Sequence, residues 1–240
     1  MRIPNCLLPT AYRLLMLKAI IFDCDGVIAD SEPLHMAALQ RALAEEGITL
    51  TEETYYREYL ALDDRGCFTK AFHDHGHALT GDRLRELIAR KAAQLEPVMR
   101  SHLRIFPGVA EFIRRAATRY PLAVASGALR HEIDLILEHA GVRDCFAAVV
   151  SAEDVTRGKP DPEAFRKAHA TLSARQSGEI AAAECLVIED SLHGVEAGKR
   201  AGMAVLAVTN SYPRERLLAA DLVIDSFTNL TLAEIERSMS

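Results

Sequence analysis

Short apolar runs, each followed by turn residues and then a helical pattern, recur along most of the chain. The first begins at residue 18 and reads Lys-Ala-Ile-Ile-Phe. The others lie at Leu122–Ala125, Ala147–Val150, Leu186–Ile188, Val205–Val208 and Leu222–Ile224. Continuous apolar runs of this length are typical of strands that are buried on both faces of a parallel sheet. Their regular alternation with helices predicts βαβ crossovers and an open sheet.

The strand pattern disappears between Glu32 and Ile105. This segment is charged and has helical patterns near residues 33–46, 51–60, 66–78 and 82–96. It predicts an all-α insertion, joined to the sheet by linkers near Asp30-Ser31 and Phe106-Pro107-Gly108. The predicted fold class is therefore α/β, a Rossmann-like open parallel sheet core with an inserted all-α cap domain. The predicted boundaries are 17–31 plus 107–240 for the core, 32–106 for the cap and 1–16 for an N-terminal extension.

Composition and charge narrow the class of protein. The 240 residues suffice for about one or two domains, and 49% hydrophobic with 26% charged residues is ordinary for a globular chain. The net charge is −6 and no dense block of Lys and Arg exists, so nucleic acid is not an expected partner. The longest apolar stretch, 14–22, is interrupted by Lys18 and is shorter than the roughly 20 residues of a membrane span. We therefore expect no membrane contact.

The cysteines and the N-terminal pattern bear on the compartment. Five scattered cysteines without a CxxC pair fit buried thiols in a reducing cytoplasm better than a disulfide framework. Arg13 and Lys18 interrupt the apolar N-terminal run, and no small-residue cleavage site follows it, so a secretory signal is not predicted. We expect a cytoplasmic protein that is a monomer or a weak dimer.

Polar residues follow four of the predicted strands, at the edge where open α/β sheets bind ligands. They are Asp23, Asp25, Ser126, Gly127, Lys159, Glu189 and Asp190. Converging carboxylates repel each other, and a divalent cation with oxygen ligands, Mg²⁺ by preference, relieves that repulsion. A lysine and a hydroxyl add donors for an anionic group of oxygens. The pattern predicts a bound phosphoryl group with Mg²⁺ as cofactor.

Two aspartates separated by one residue can divide the work of phosphoryl transfer. Asp23 is the candidate nucleophile that attacks phosphorus and forms an aspartyl phosphate. Asp25 is the candidate acid that protonates the departing alcohol and afterwards takes a proton from water. Mg²⁺ and Lys159 would neutralise charge as the transition state forms. The predicted reaction is hydrolysis of a phosphate monoester.

Four stretches resemble, in order, the motifs of the haloacid dehalogenase-like (HAD) superfamily. They read Asp23-Cys24-Asp25-Gly26-Val27, Ala125-Ser126-Gly127, Gly158-Lys159-Pro160-Asp161-Pro162 and Ile188-Glu189-Asp190-Ser191. The likeness spans about residues 18–209 and favours the subgroup with a helical cap after the first motif. That subgroup contains β-phosphoglucomutases and sugar-phosphate or phosphoglycolate phosphatases. The dehalogenases lack the second aspartate, so Asp25 disfavours dehalogenation.

The resemblance implies a role for each motif residue. It implies that Asp23 is the nucleophile and Asp25 the general acid and base. Ser126 and Lys159 would hold the phosphoryl group, and Gly127 is assigned to substrate binding. The implied metal site consists of Asp23, the backbone carbonyl of Asp25, Asp190 and, in support, Glu189.

Three residues outside the core of the motifs are candidates for substrate binding. His35 matches a histidine at this offset in β-phosphoglucomutases and related phosphatases; the alternative is a solvated histidine in a first helical turn. Arg65 lies where the mutases carry an arginine for the distal phosphate, and an arginine suits a phosphate or a carboxylate. Arg130 follows the second motif and is a candidate to face the cleft. The cap lysine of the mutases is expected to be replaced, with Ala61 and Leu62 in that vicinity, which weakens the mutase interpretation.

The sequence therefore predicts an HAD-like phosphoric monoester hydrolase that uses Mg²⁺ to hydrolyse a small phosphorylated metabolite, with sugar phosphates the favoured class. The alternative is a β-phosphoglucomutase-like phosphosugar mutase, in which the aspartyl phosphate passes to a sugar hydroxyl instead of water. A third possibility is a catalytically inactive phosphate-binding protein, which the complete set of motif residues disfavours. A cap that closes over the site would exclude water and select the substrate.

Overall fold

The computed structural model describes residues 16–60, 62–176 and 178–238. The predicted N-terminal extension lies outside the described residues apart from Met16. The strands are β1 (Ala19–Phe22), β2 (Ala29–Asp30), β3 (Arg104–Ile105), β4 (Leu122–Ala125), β5 (Phe146–Val150), β6 (Cys185–Glu189), β7 (Ala204–Val208) and β8 (Leu222–Ile224). The α-helices are α1 (Glu32–Ala44), α2 (Glu52–Glu58), α3 (Asp64–Asp74), α4 (Gly81–His102), α5 (Val109–Ala117), α6 (Arg130–His139), α7 (Glu163–Ser173), α8 (Leu192–Arg200) and α9 (Leu232–Ser238).

The larger sheet contains six parallel strands in the order β5-β4-β1-β6-β7-β8. Strand β1 is central and pairs with β4 on one side and β6 on the other. The strand order reverses at this point, and ligands bind at such a switch point, beyond the carboxyl ends of the strands. All six predicted strands are present, so the predicted Rossmann-like sheet is confirmed.

Both faces of the sheet are covered by helices, which explains why its strands are continuously apolar. In β1, Ile20 and Phe22 belong to one apolar cluster, and Ala19 and Ile21 belong to the other. The first cluster includes buried residues of α5, α6 and α9, and the second includes buried residues of α7 and α8. The core thus has three layers, with the carboxyl ends of the strands left free at one edge.

A short antiparallel ribbon at the base of the insertion was not predicted. In it β2 pairs with β3, with Ala29 opposite Ile105 and Asp30 opposite Arg104. The ribbon lies where the predicted linkers leave and re-enter the core. Two residues per strand are too few for an alternation of apolar and polar positions, so the sequence pattern carries no signal for it.

The insertion folds as four helices, α1 to α4, as predicted. Thr51, Asp63 and Thr80 start α2, α3 and α4, because each side chain accepts a hydrogen bond from a backbone N–H three residues later. Leu39, Phe68, Leu87 and their neighbours form a separate apolar cluster inside this cap. The domain boundaries themselves stay a prediction.

Helix α4 is longer than predicted. It continues through Pro97 to His102, whereas the sequence pattern predicts an end at 96. Leu95 and Met99, on either side of the proline, are fully buried and belong to the apolar cluster of the core. Burial of this face outweighs the backbone hydrogen bond that proline removes. In the described part of the chain, no helix is long and apolar enough to cross a membrane.

Candidate active site at the carboxyl edge of the sheet

Asp23 lies directly after the central strand, and its backbone continues the pairing with β6. Its N–H donates to the carbonyl of Ile188 at 2.9 Å. Lys159, on the loop between β5 and α7, reaches across the sheet edge and donates to Oδ1 of Asp23 at 2.7 Å and to Oε1 of Glu189 at 2.5 Å. One ammonium group therefore joins the ends of β1 and β6.

Glu189 is the last residue of β6 and is fully buried. Its Oε2 accepts hydrogen bonds from the backbone N–H of Asp190 at 2.9 Å and from the N–H and hydroxyl of Ser191, both at 3.0 Å. A Cβ atom on Gly194 would lie 1.8 Å from Oε1 of Glu189, so only glycine lets α8 start this close to the carboxylate. The turn after β6 therefore holds Oε2 of Glu189 by hydrogen bonds, while Oε1 packs against Gly194 and accepts from Lys159.

Three carboxylates at this edge could hold a metal ion. Asp23, Glu189 and Asp190 each offer an oxygen, and these oxygens lie within 4.8 Å of one another. All three residues are buried. A compact set of carboxylate oxygens is the donor set that Mg²⁺ prefers. The residues present therefore fit a divalent cation.

The electrostatics of the same three carboxylates also favour a cation. Burial raises the pKa of Asp23 to about 7; Lys159 opposes this, and the charges of Glu189 and Asp25 add to it. Burial and the charges of Glu189 and Asp23 raise the pKa of Asp190 well above its usual range. Burial lowers the pKa of Lys159, but its two carboxylate partners outweigh this and hold it above the ordinary value, so the lysine stays charged. One ammonium leaves excess negative charge, which a divalent ion would offset.

The side chain of Asp25 points to the cap side of the edge. Its Oδ1 accepts a hydrogen bond from the hydroxyl of Ser31 at 2.5 Å and lies 3.7 Å from Nε2 of His35. Its Oδ2 lies 3.4 Å from the donating hydroxyl of Ser126, at the end of β4. Asp25 thus lies between the end of β4 and the start of the cap.

A buried lysine on the cap, Lys91 of α4, was missed by the sequence analysis. Its Nζ lies 3.0 Å from Nδ1 of His35 and donates to Oδ1 of Asp64. Burial lowers the pKa of Lys91, but the charge of Asp64 and its hydrogen bond outweigh this and raise it, so the lysine is charged. The residue lies 56 positions from His35 on a charged helix, where the sequence pattern gives no sign of burial.

This lysine bears on one expectation of the sequence analysis. A cap lysine was expected to be replaced in the vicinity of Ala61 and Leu62; Ala61 lies outside the described residues. The structure brings a lysine to the cap side of the site from a different helix. The predicted replacement near Ala61 and Leu62 stays a prediction, and Lys91 is a cap lysine that it did not take into account.

The loop after β7 supplies two more residues that the sequence analysis did not single out. Nδ2 of Asn210 donates to the carbonyl of Gly26 at 2.6 Å, and the hydroxyl of Ser211 donates to Oδ2 of Asp190. The rule that polar residues after strands meet at one edge would have found them, had it been applied to β7 as well.

The other predicted residues have fewer contacts with this group. The guanidinium of Arg130 pairs with Asp154 at 2.5 Å, and its backbone N–H donates to Glu153 at 2.7 Å. Arg65, near the start of α3, and Gly127, after β4, are both exposed. The structure thus brings together the motif residues and His35, while the substrate-binding roles of Arg65, Gly127 and Arg130 stay predictions.

The fold and the site agree with comparisons to known proteins. A family model described as a hydrolase, haloacid dehalogenase-like hydrolase, matches residues 17–202. The validoxylamine A 7'-phosphate phosphatase of Streptomyces hygroscopicus subsp. limoneus is 28% identical over 90% of this chain and 96% of that protein. The β-phosphoglucomutase of Bacillus subtilis strain 168 is 29% identical over 90% and 92%.

A solved structure extends the likeness to the whole fold. The β-phosphoglucomutase of Clostridium difficile superposes with a TM-score of 0.81 at 22% identity, over 93% of this chain and 97% of that one. The class defined by the fold is thus a Rossmann-like α/β core with a helical cap. The chain belongs to the haloacid dehalogenase-like hydrolase family, as the four motifs predicted. Family membership and phosphatase-named relatives support the predicted enzyme class, a phosphoric monoester hydrolase.

Proposed function

We propose that the chain is a Mg²⁺-dependent phosphatase that hydrolyses a small phosphorylated metabolite, with sugar phosphates the favoured class. The observation that carries this proposal is the meeting of Asp23, Lys159, Glu189 and Asp190 at the switch point of the sheet. Carboxylates held around one ammonium and fitted to a divalent ion form a site for a phosphoryl group. The cytoplasmic location of the protein and its state as a monomer or weak dimer stay predictions.

The proposed cation site uses the carboxylates of Asp23 and Asp190 and the backbone carbonyl of Asp25, with Glu189 in support. When bound, the cation neutralises charge on the phosphoryl oxygens and orients them. Glu189 suits the supporting role, because its oxygens are already engaged by Lys159 and by the turn after β6. Lys159 and the Ser126 hydroxyl would hold the phosphoryl oxygens.

In the first step, a carboxylate oxygen of Asp23 attacks phosphorus. The new bond joins that oxygen to phosphorus, and the bond between phosphorus and the ester oxygen breaks. The departing alkoxide takes a proton from the carboxyl group of Asp25. Lys159 holds Oδ1 of Asp23 at 2.7 Å, which fixes the orientation of the carboxylate and leaves Oδ2 for the attack.

In the second step, Asp25 is the base. It takes a proton from a water molecule whose oxygen attacks phosphorus, the bond to Asp23 breaks, and inorganic phosphate leaves. The hydroxyls of Ser31 and Ser126 orient the Asp25 carboxyl group, and His35 stands 3.7 Å from it. The cap thus contributes directly to the surroundings of the proposed acid and base.

The test is a phosphate-release assay on a panel of phosphate monoesters, with Mg²⁺ and with EDTA. We expect turnover that requires Mg²⁺ and that Asp23→Asn abolishes. Asp144→Asn, at an exposed position remote from the motifs, is the matched control and should keep full activity. Metal-independent turnover, or full activity of Asp23→Asn, contradicts the proposal. Phosphate binding without turnover of any ester would favour the inactive binding protein instead.

The mutase is the second candidate, and Lys91 beside His35 keeps it open. In a mutase the phosphoryl group of Asp23 passes to a hydroxyl of the bound sugar. The two activities separate when β-glucose 1-phosphate is supplied with a trace of the bisphosphate. A phosphatase releases phosphate faster than it forms glucose 6-phosphate, and a mutase does the reverse.

A further inference from the structure

We propose that the loop Thr209–Ser211, called here the β7 loop, positions the residues that form the divalent-cation site. Ser211 would hold Asp190 in the orientation for the cation, and Asn210 would hold the turn that carries Asp23 and Asp25. These are positioning residues, since they act through other groups. The inference rests on the proposed function, because it assumes that Asp190 binds the cation.

The contact of Ser211 is with the carboxylate at the end of β6. Its hydroxyl donates to Oδ2 of Asp190, a residue that is only 4% exposed. A carboxylate with one oxygen held by a donor presents its other oxygen in a fixed direction. Metal-binding carboxylates are typically held by such outer hydrogen bonds, and removal of one commonly weakens metal binding about 10- to 100-fold.

The contact of Asn210 is with the turn after β1. Its Nδ2 donates to the carbonyl of Gly26 at 2.6 Å. Gly26 has a φ of 73°, and a Cβ atom there would lie 1.9 Å from Oδ2 of Asp190. The backbone of this turn is therefore packed directly against the Asp190 carboxylate. Together the two hydrogen bonds tie the ends of β1, β6 and β7 to one another.

The β7 loop has a separate anchor that does not involve the site. The N–H of Thr209 donates to the carbonyl of Ile224 at 3.0 Å, and its hydroxyl donates to Asp225 at 3.0 Å. These bonds fasten the start of the loop to the end of β8. The start of the loop is thus held by bonds that do not involve Ser211, and the Ser211 hydroxyl is engaged with the buried carboxylate of Asp190.

The experiment compares the affinity for Mg²⁺ alone, measured by calorimetric titration of the purified full chain without substrate. We expect Ser211→Ala to raise the Kd for Mg²⁺ about 10- to 100-fold, and Ser211→Thr, which keeps the hydroxyl, to restore most of the affinity. Asn210→Leu removes the donor to Gly26 without adding charge and is expected to weaken Mg²⁺ binding as well. The unfolding temperature of the metal-free variants reports on folding.

The matched control is Thr209→Val, on the same loop but directed at Asp225. It removes only the side-chain bond of that anchor and keeps the backbone bond to Ile224, so we expect the Kd for Mg²⁺ to stay unchanged. In turnover, Ser211→Ala should need more Mg²⁺ for half activation while keeping kcat at saturating Mg²⁺ within about threefold of the parent.

The outcomes separate this inference from the proposed function. A Kd for Mg²⁺ in Ser211→Ala and Asn210→Leu equal to that of the parent overturns the inference alone. Equal weakening by Thr209→Val overturns it too, because the effect would then come from the loop as a whole. If the parent binds no Mg²⁺ and works without it, the proposed function fails.

Discussion

The charge of Lys159 is shared between two buried carboxylates, and much of the proposed chemistry depends on this one residue. It holds Asp23 and Glu189 together at the ends of neighbouring strands. Without it, two negative groups would face each other in a place from which water is largely excluded. At the scale of single residues, the site is therefore an arrangement of charges whose mutual interactions are strengthened by burial.

Lys159→Met removes this charge and keeps the length of the side chain. We expect turnover with Mg²⁺ to fall by at least about 100-fold, because one donor to the developing negative charge is lost. The control is Lys167→Met on α7, whose side chain is 47% exposed and whose ammonium pairs with Glu163. Both are measured by phosphate release. Turnover of Lys159→Met equal to that of the control contradicts the role given to Lys159.

The stability of the fold is predicted to depend on pH through Glu32, at the start of the cap. Burial raises the pKa of Glu32 to about 7, against a hydrogen bond that the Tyr55 hydroxyl donates to its Oε1. The folded state therefore holds the proton more tightly than the unfolded chain, whose ordinary pKa is 4.5. The stability contributed by the protonated form is present at low pH and is lost as the pH rises from about 4.5 to about 7.

Glu32→Gln is neutral at every pH and removes this dependence. Between pH 5 and pH 8 we expect the free energy of unfolding of the parent to fall by about 2 to 3 kcal/mol more than that of Glu32→Gln. Urea unfolding of the metal-free proteins at the two pH values measures the difference. Parallel losses in the two proteins would show that Glu32 titrates normally.

Single site residues could be predicted from the sequence where they directly follow a predicted strand. Asp23, Ser126 and Glu189 could be predicted because each follows a clear apolar run. Lys91 could not, since its burial depends on the packing of α4 against α1 and on partners far away in sequence. Whether a given polar side chain of a helix is solvated or buried is decided by tertiary packing, which no local pattern contains.

At the scale of elements, the start of α8 and the end of β6 act as one unit. The Glu189 carboxylate accepts from the turn, Ser191 caps the helix through the N–H of Gly194, and the helix begins against the carboxylate itself. The position of the Glu189 carboxylate is therefore set in large part by the backbone of the turn, together with the hydroxyl of Ser191.

Gly194→Ala tests this unit. The added Cβ would lie 1.8 Å from Glu189, so the carboxylate or the helix must move. We expect a loss of about 1 to 3 kcal/mol in the free energy of unfolding, and lower activity. Gly81→Ala, also a helical glycine, is the control, because the nearest atom to its Cβ is the flexible Arg85 side chain at 3.6 Å. If both variants keep parental stability and activity, the close packing is not needed.

The elements of the core were predicted better than those at the edge of the cap. Six apolar runs became six strands, because strands buried on both faces need apolar residues at every position. The ribbon of β2 and β3 and the last turns of α4 were missed. Both depend on partners far away in sequence, the ribbon through the pairing of β2 with β3 and α4 through the burial of Leu95 and Met99 in the core, and neither leaves a local pattern.

At the scale of the whole molecule, the cap is attached to the core by more than its two chain crossings. Leu95 and Met99 of α4 are fully buried in the apolar cluster of the core. At the site, His35 lies 3.7 Å from Asp25, and Lys91 of the same cap lies 3.0 Å from His35. The cap therefore contributes both to the stability of the core and to the surroundings of the proposed acid.

Leu95→Ala measures this attachment. We expect a loss of about 2 to 5 kcal/mol in the free energy of unfolding, since a fully buried leucine leaves a cavity. Val98→Ala on the same helix is the control; its side chain is 40% exposed, and we expect a change under about 0.5 kcal/mol. Urea unfolding gives both values. A loss for Leu95→Ala no larger than for the control would show that α4 does not anchor the cap.

The central claim is that separate strand ends deliver carboxylates and an ammonium to one place that binds a divalent ion and a phosphoryl group. A crystal structure of the protein with Mg²⁺ and beryllium trifluoride, a mimic of the phosphoryl group, tests it most directly. The account predicts beryllium attached to a carboxylate oxygen of Asp23, and Mg²⁺ about 2.0 to 2.1 Å from oxygens of Asp23 and Asp190. Mg²⁺ bound elsewhere, or beryllium attached to another residue, would contradict it.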